Sequence, residues 1–91
     1  MALLDLLGRR WTLRLLWELR ADALGFRELQ ARCDGMSASV LSLRLRELRE
    51  AGIVESDDDG VNRLTAPGAA LLEALQPLDR WAKRWPARAG R

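Results

Sequence analysis

The sequence predicts a mainly α-helical fold that contains one small β-hairpin. Leucine and tryptophan recur at helical spacing along most of the chain, which is typical of helices with one buried face. Two short β-type runs, 53–56 and 61–65, flank the Asp-Asp-Asp-Gly segment 57–60, which is typical of a hairpin turn. The chain has 91 residues, of which 48% are apolar, and this is enough for a single domain, 1–91, with a modest core.

The first third of the chain predicts three short helices. Residues 2–7 are apolar except for Asp5, and Gly8 ends this first helix. The segments 10–20 and 26–32 carry their apolar side chains at helical spacing and form the second and third helices.

A tight connection leads from the third helix to a longer fourth one. In the segment 33–35, Gly35 can adopt the positive φ that such a turn requires. Ser37 is a typical N-cap, because its hydroxyl can accept a free N–H from the first helical turn. The fourth helix is therefore predicted over 37–51, and Gly52 ends it.

The hairpin is followed by a last helix, which Thr65 caps and which has Pro67 in its first turn. Pro77 lies inside this helix and is expected to bend or interrupt it near 74–76. The predicted order is helix, helix, helix–tight turn–helix, hairpin, helix. A helix-turn-helix followed directly by a hairpin is the winged helix-turn-helix arrangement.

The composition argues against several classes of protein. With no histidine and a single cysteine, Cys33, the chain shows no metal site, cofactor site or catalytic constellation, so it is not expected to be an enzyme. We expect Cys33 to be a small buried residue. Charged residues break the apolar runs and the first residues lack a signal-peptide pattern, so a cytoplasmic protein without a membrane span is expected. The net charge of +2 favours a nucleic-acid partner only weakly.

The sequence resembles the HxlR-type winged-helix regulators of bacteria, through short motifs that occur in one common order. The matching residues are Leu4-Asp5-Leu6-Leu7-Gly8, Arg10-Trp11-Thr12, Phe26-Arg27-Glu28-Leu29, Gly35-Met36-Ser37, Leu41, Arg44-Leu45, Glu47-Leu48, Gly52-Ile53-Val54, Leu64-Thr65, Gly68, Leu72 and Trp81. The resemblance covers nearly the whole chain. It implies a dimer that binds double-stranded DNA and represses or activates transcription, often in response to a small-molecule effector or an oxidant. The resemblance therefore leaves a redox-sensing role of Cys33 open.

The fourth helix is the expected recognition helix. Leu41, Leu45 and Leu48 fall on one face, which leaves the opposite face for DNA. The candidate DNA-contacting residues are Arg27, Ser37, Ser39, Val40, Ser42, Leu43, Arg44 and Arg46. Arg46 is the best candidate for a guanine or phosphate contact. The alternative is a solvated face on which the arginines of this helix pair with its glutamates.

The terminal helices, in 1–20 and 66–91, are expected to form a dimer interface. They carry more apolar surface than one small core can hide, and the candidate interface residues are Leu3, Leu4, Leu7, Trp81 and Trp85. Of the two tryptophans in the last helix, Trp81 is expected to lie closer to the core. An exposed indole at Trp17 suggests either an interface or a ligand pocket.

A second function remains open, namely a winged-helix module for protein contacts with weak or lost DNA binding. Gly25 and Leu43 stand where basic or long polar residues are common in the family that the sequence resembles. The acidic run 57–59 would weaken binding if it lay near phosphates.

Overall fold

The computed structural model describes residues 2–85 of the chain. The described part contains five helices: α1 (Ala2–Leu7), α2 (Thr12–Glu18), α3 (Phe26–Arg32), α4 (Ala38–Glu50) and α5 (Ala66–Arg84). Between α4 and α5, the strands β1 (Val54–Ser56) and β2 (Asn62–Leu64) pair antiparallel, with Val54 opposite Leu64 and Ser56 opposite Asn62. The predicted order of elements is confirmed.

The caps and turns that the sequence predicts around α4 and α5 are also present. The Ser37 hydroxyl accepts the N–H of Val40 at 3.2 Å, and the Thr65 hydroxyl accepts the N–H of Gly68 at 3.0 Å. Gly35 and Gly52 have φ values of +89° and +76°, which a residue with a side chain rarely adopts. These glycines delimit α4 and thereby fix its length.

Helices α2 and α5 each differ from the prediction. Helix α2 begins at Thr12 rather than at residue 10, because Trp11 adopts a left-handed conformation with φ of +79° that cannot continue a helix. Of the two expected effects of Pro77, a bend or an interruption near 74–76, the interruption is wrong, because α5 is continuous through Pro77. Glu73 and Pro77 are both exposed, and water can therefore satisfy the carbonyl that the missing N–H of proline leaves free.

The core lies where α2, α3, α4 and the start of the hairpin meet. Its buried residues are Leu15, Leu16, Leu19, Leu24, Leu29, Cys33, Met36, Leu41, Leu45, Leu48, Ile53 and Val54. Cys33 is a free thiol that is completely buried, as expected. Burial raises the pKa of this thiol, an effect that the positive charge of Arg14 partly opposes, and a raised pKa makes a cysteine less reactive.

Two residues tie the hairpin to the rest of the fold. Asn62 is buried; its backbone exchanges two hydrogen bonds with Leu24, and its side-chain amide donates to the carbonyl of Leu24 at 3.2 Å. Gly68 packs against the carbonyl of Ile53 so closely that a Cβ on Gly68 would overlap the oxygen. These contacts set the position of the hairpin beside α3 and of α5 beside β1.

Candidate nucleic-acid interface

Helix α4 presents one face to the core and the opposite face to solvent. Leu41, Leu45 and Leu48 are buried, as the sequence predicts. The exposed face forms a shallow depression of about 400 Å³, and its lining residues are Ser39, Ser42, Leu43, Arg46 and Arg49. The structure thus brings together four of the predicted DNA-contacting residues, and it adds Arg49.

Arg46 points away from the body of the protein. Its side chain is exposed, and it makes no hydrogen bond or ion pair with any residue in 2–85. Of the ion pairs that the alternative of a solvated face predicts, Arg44 with Glu47 is present, whereas Arg46 with Glu50 is not present among these residues. The guanidinium is therefore available to an external acceptor.

Arg44 is placed differently from the other candidates. Its Nε donates to the carbonyl of Arg10 at 2.9 Å, and its Nη1 donates to Oε1 of Glu47 at 3.1 Å. Both contacts are internal, so the structure uses Arg44 to connect α4 with the turn between α1 and α2. Arg44 therefore braces a neighbouring carboxylate of α4, and its contact with DNA stays a prediction.

The remaining candidates lie at the start of α3 and at the start of α4. Arg27 is exposed in the first turn of α3. Ser37 is occupied as the N-cap, and its hydroxyl lies 3.3 Å from that of Ser39. Val40 is half-buried and packs against the core, so only part of its side chain is available to a ligand.

Arg49 is the residue that sequence reasoning missed. Its Nη1 donates to the hydroxyl of Ser56 at 3.4 Å, and this hydroxyl donates to Oδ1 of Asn62 at 2.5 Å. The chain of hydrogen bonds links the exposed face of α4 to the hairpin. The spacing could have revealed it, because Arg49 lies three residues after Arg46 and therefore shares its face of the helix.

One of the three aspartates in the hairpin turn uses its carboxylate within the turn. One carboxylate oxygen of Asp57 accepts the N–H groups of Asp59 and Val61 at 2.9 and 3.0 Å, and the other lies 3.1 Å from Nη2 of Arg63. The hydrogen bond from Val61 contributes most to lowering the pKa of Asp57, and Arg63 lowers it further. Asp57 therefore shapes the turn, whereas Asp58 and Asp59 stay exposed at its tip.

The terminal helices carry an apolar surface at some distance from this face. Trp81 and Trp85 stack on each other with ring centroids 5.6 Å apart. They are 51% and 45% exposed, so the expectation that Trp81 lies closer to the core is wrong. Trp81 in the last turn of α5 and Trp85 directly after the helix both lie outside the core. Leu3 and Leu4 are exposed as well, but Leu7 is half-buried and packs against the core, so little of it is left for an interface.

An apolar groove of about 370 Å³ runs between α2 and α5. Most of its lining is apolar and comes from Leu13, Trp17, Leu72, Leu75, Leu78 and Ala82. The exposed indole of Trp17 is covered on one side by the guanidinium of Arg20, at 3.6 Å from the ring centroid. This contact is a cation–π interaction and orients the indole at the edge of the groove.

Metal-binding clusters and membrane-spanning helices are both absent from residues 2–85. No group of three or more histidine, cysteine or acidic residues is arranged to hold a metal ion in this part of the chain. None of the described helices is both long and apolar enough to span a bilayer.

Known proteins are similar to this chain in sequence and in fold. Residues 6–89 match the family described as HxlR-like helix-turn-helix. The uncharacterized HTH-type transcriptional regulator YvaP of Bacillus subtilis is 33% identical over 87 residues, which is 89% of this chain and 81% of YvaP. Among solved structures, quinone-bound YodB from B. subtilis superposes with a TM-score of 0.86 at 30% identity, covering 92% of this chain and 94% of YodB. The transcriptional repressor BigR from Xylella fastidiosa gives a TM-score of 0.73 at 30% identity, covering 93% and 87%.

These similarities agree with the fold, which is mostly helical with a two-stranded wing directly after the helix-turn-helix. They also agree with the expectation that the chain is not an enzyme, because the family consists of regulators of transcription. This chain belongs to the HxlR-like helix-turn-helix family and is a transcriptional regulator of the winged-helix type.

Proposed function

We propose that the protein binds duplex DNA as a two-fold dimer and inserts the first half of α4 into the major groove. The observation that carries the proposal is the exposed guanidinium of Arg46, which has no partner in residues 2–85 and lies on the same face as Ser39 and Ser42. Recognition helices of this fold contact base edges with their N-terminal residues.

The side chains on this face suit particular partners in the groove. Arg46 can bind O6 and N7 of guanine together, which discriminates against a wrong base by about 1–3 kcal/mol. Ser39 and Ser42 can hydrogen-bond to bases or phosphates, and Leu43 can contact a thymine methyl group. Arg49 lies at the hairpin side of the depression, and we expect it to contact a phosphate of the DNA backbone. Such a contact adds affinity without sequence preference.

The dimer is proposed from the apolar surface of the terminal helices. Leu3 and Leu4 on α1 and the stacked pair Trp81 and Trp85 at the end of α5 are exposed, and exposed aromatic clusters of this kind mark interfaces. A two-fold axis through these helices would present two copies of α4 about 34 Å apart, which is one turn of DNA.

A small-molecule effector is the further partner that we propose. The groove between α2 and α5 has the size and apolar lining of a small-ligand site, and the related YodB has been solved with a quinone bound. A p-benzoquinone should change the DNA affinity of the wild type, and Leu75→Trp, which fills the groove, should remove that response. An equal response in both proteins would exclude the groove as the site.

DNA binding can be tested before the operator is identified. A random duplex library is first selected on the wild-type protein, and the selected duplex and a scrambled one are then titrated by fluorescence anisotropy. Arg46→Ala should bind the selected duplex about tenfold or more weakly, while its melting temperature stays that of the wild type. Arg80→Ala, which removes an exposed arginine from α5, is the matched control for the lost charge.

The outcomes separate the two functions. Unchanged affinity of Arg46→Ala for both duplexes would overturn the role of Arg46. If the wild type selects no sequence and binds no duplex, the protein-interaction module becomes the better account, since the exposed Leu43, Asp58 and Asp59 suit a protein surface better than DNA.

A further inference from the structure

Two side chains of α4 hold the turn between α1 and α2. Glu47 uses its two carboxylate oxygens separately: Oε1 accepts from Arg44, and Oε2 lies 3.5 Å from Nε of Arg9. Arg44 in turn donates to the carbonyl of Arg10 at 2.9 Å. The recognition helix therefore contacts two consecutive residues of the turn, one through a side chain and one through the backbone.

The turn has an unfavourable conformation of its own. Trp11 lies in the left-handed region, which a residue with a Cβ rarely occupies, and the hydroxyl of Thr12 is buried without a partner in residues 2–85. The carbonyl of Arg10 accepts no backbone N–H in the described part of the chain, and Arg44 is its donor. A strained conformation persists only where its surroundings impose it, and the contacts from α4 are such surroundings.

Partial burial distinguishes this network from an ordinary surface ion pair. The side chains of Arg44 and Glu47 are 14% and 21% exposed and that of Arg9, at the outer end of the network, is 51% exposed, whereas those of the pair Lys83 and Asp79 on α5 are 72% and 51% exposed. Solvent screens the exposed pair and leaves it mobile, while a pair shielded from water is held more strongly in one geometry. The network can therefore transmit the position of the turn to α4.

We infer that Glu47 is a positioning residue that fixes the angle between α4 and α1, and thereby the half-site spacing that the dimer accepts. The inference rests on the proposed function, because α1 carries Leu3 and Leu4 of the proposed dimer interface. When α1 and α4 are rigidly connected, the two recognition helices keep one separation. When the connection is loosened, the helices tolerate other separations.

The experiment compares three duplexes: one half-site, two half-sites at the selected spacing, and two half-sites with one base pair inserted between them. The inserted base pair rotates and displaces one half-site relative to the other. The wild type should therefore bind this duplex more weakly than the duplex with the selected spacing. Glu47→Gln keeps the shape of the side chain and removes its charge. It should reduce the preference for the selected spacing by about fivefold and leave affinity for the single half-site within about twofold of wild type.

Two further variants make the result specific. Glu50→Gln makes the same chemical change on an exposed part of α4 where the described residues offer no ion pair, and it should keep the wild-type spacing preference. Arg9→Gln removes one ion pair from the turn without changing α4, and it should weaken the preference in the same direction as Glu47→Gln.

Several results would overturn the inference. A Glu47→Gln protein with the wild-type spacing preference, even with a lower melting temperature, would show that Glu47 serves stability alone. An equal loss of affinity on all three duplexes would show that the change simply disturbs α4. If the wild type binds one and two half-sites equally well, both the dimer proposal and this inference fail. If the wild type prefers two half-sites at the selected spacing, the dimer proposal stands, whatever the effect of Glu47→Gln.

Discussion

The tight packing of Gly68 against the carbonyl of Ile53 gives a stability prediction of unusual direction. Gly68 lies in the first turn of α5, where alanine normally stabilises a helix by about 1 kcal/mol relative to glycine. Here a Cβ would overlap the carbonyl oxygen of Ile53, which also accepts the N–H of Thr65 at 3.0 Å. Gly68→Ala must therefore push the start of α5 away from β1.

The magnitude follows from what this displacement breaks. Overpacking costs about 1–3 kcal/mol, and the hydrogen bond from Thr65 to Ile53 and the N-cap bond to Gly68 contribute about 1 kcal/mol each. After the gain in helix propensity, we expect Gly68→Ala to lower the free energy of unfolding by about 2–4 kcal/mol, or the melting temperature by roughly 10 °C or more.

Urea unfolding followed by circular dichroism, at one fixed protein concentration, measures this loss. The matched control is Ala69→Gly, which makes the reverse change at the next, exposed position and should cost about 1 kcal/mol through propensity alone. A Gly68→Ala protein as stable as the wild type would refute the close contact between α5 and β1.

Three further predictions concern the wing and the terminal helices. Asp57→Asn should lower the free energy of unfolding at neutral pH. Because folding lowers the pKa of Asp57, the greater stability of the wild type is present above about pH 4 and should disappear as the pH falls through the pKa of Asp57 in the folded protein. Urea unfolding of both proteins at several pH values would detect this loss. Replacing Asp58 and Asp59 by asparagine should tighten binding to any duplex and steepen its salt dependence, since two exposed negative charges leave the wing; weaker binding would reveal a contact made by these carboxylates. Trp81→Ala and Trp85→Ala should each increase the monomer fraction in sedimentation velocity to a similar extent, because the two stacked rings are about equally exposed. If both variants dimerise like the wild type, the interface lies elsewhere.

The sequence predicts most of the fold because its signals are local. The caps at Ser37 and Thr65, the glycine stops and the leucine stripe of α4 each depend on residues a few positions apart, and all are present. Periodicity does not reveal the left-handed conformation of Trp11, nor that the neighbouring carbonyl of Arg10 binds Arg44, 34 positions further along the chain.

The candidate site was predicted in part for the same reason. Helical geometry placed Ser39, Ser42, Leu43 and Arg46 together on one face of α4. It did not show that Arg44 turns toward the Arg10 carbonyl, since a side chain at the edge of the core can point in either direction along the helix surface. The roles of Asn62 and Gly68 were likewise invisible, because each depends on the close approach of two segments distant in sequence.

The pairing of Leu24 with Asn62 has a consequence for how the protein folds. These residues are 38 positions apart, and the whole of α3, α4 and β1 lies in the loop that they close. Closing such a loop has an entropic cost that is recovered only when the enclosed helices pack, so the pairing and the packing form together. The helix that reads DNA and the wing beside it thus belong to one cooperative folding unit, and opening the wing strand by local unfolding would expose the start of α3 at the same time.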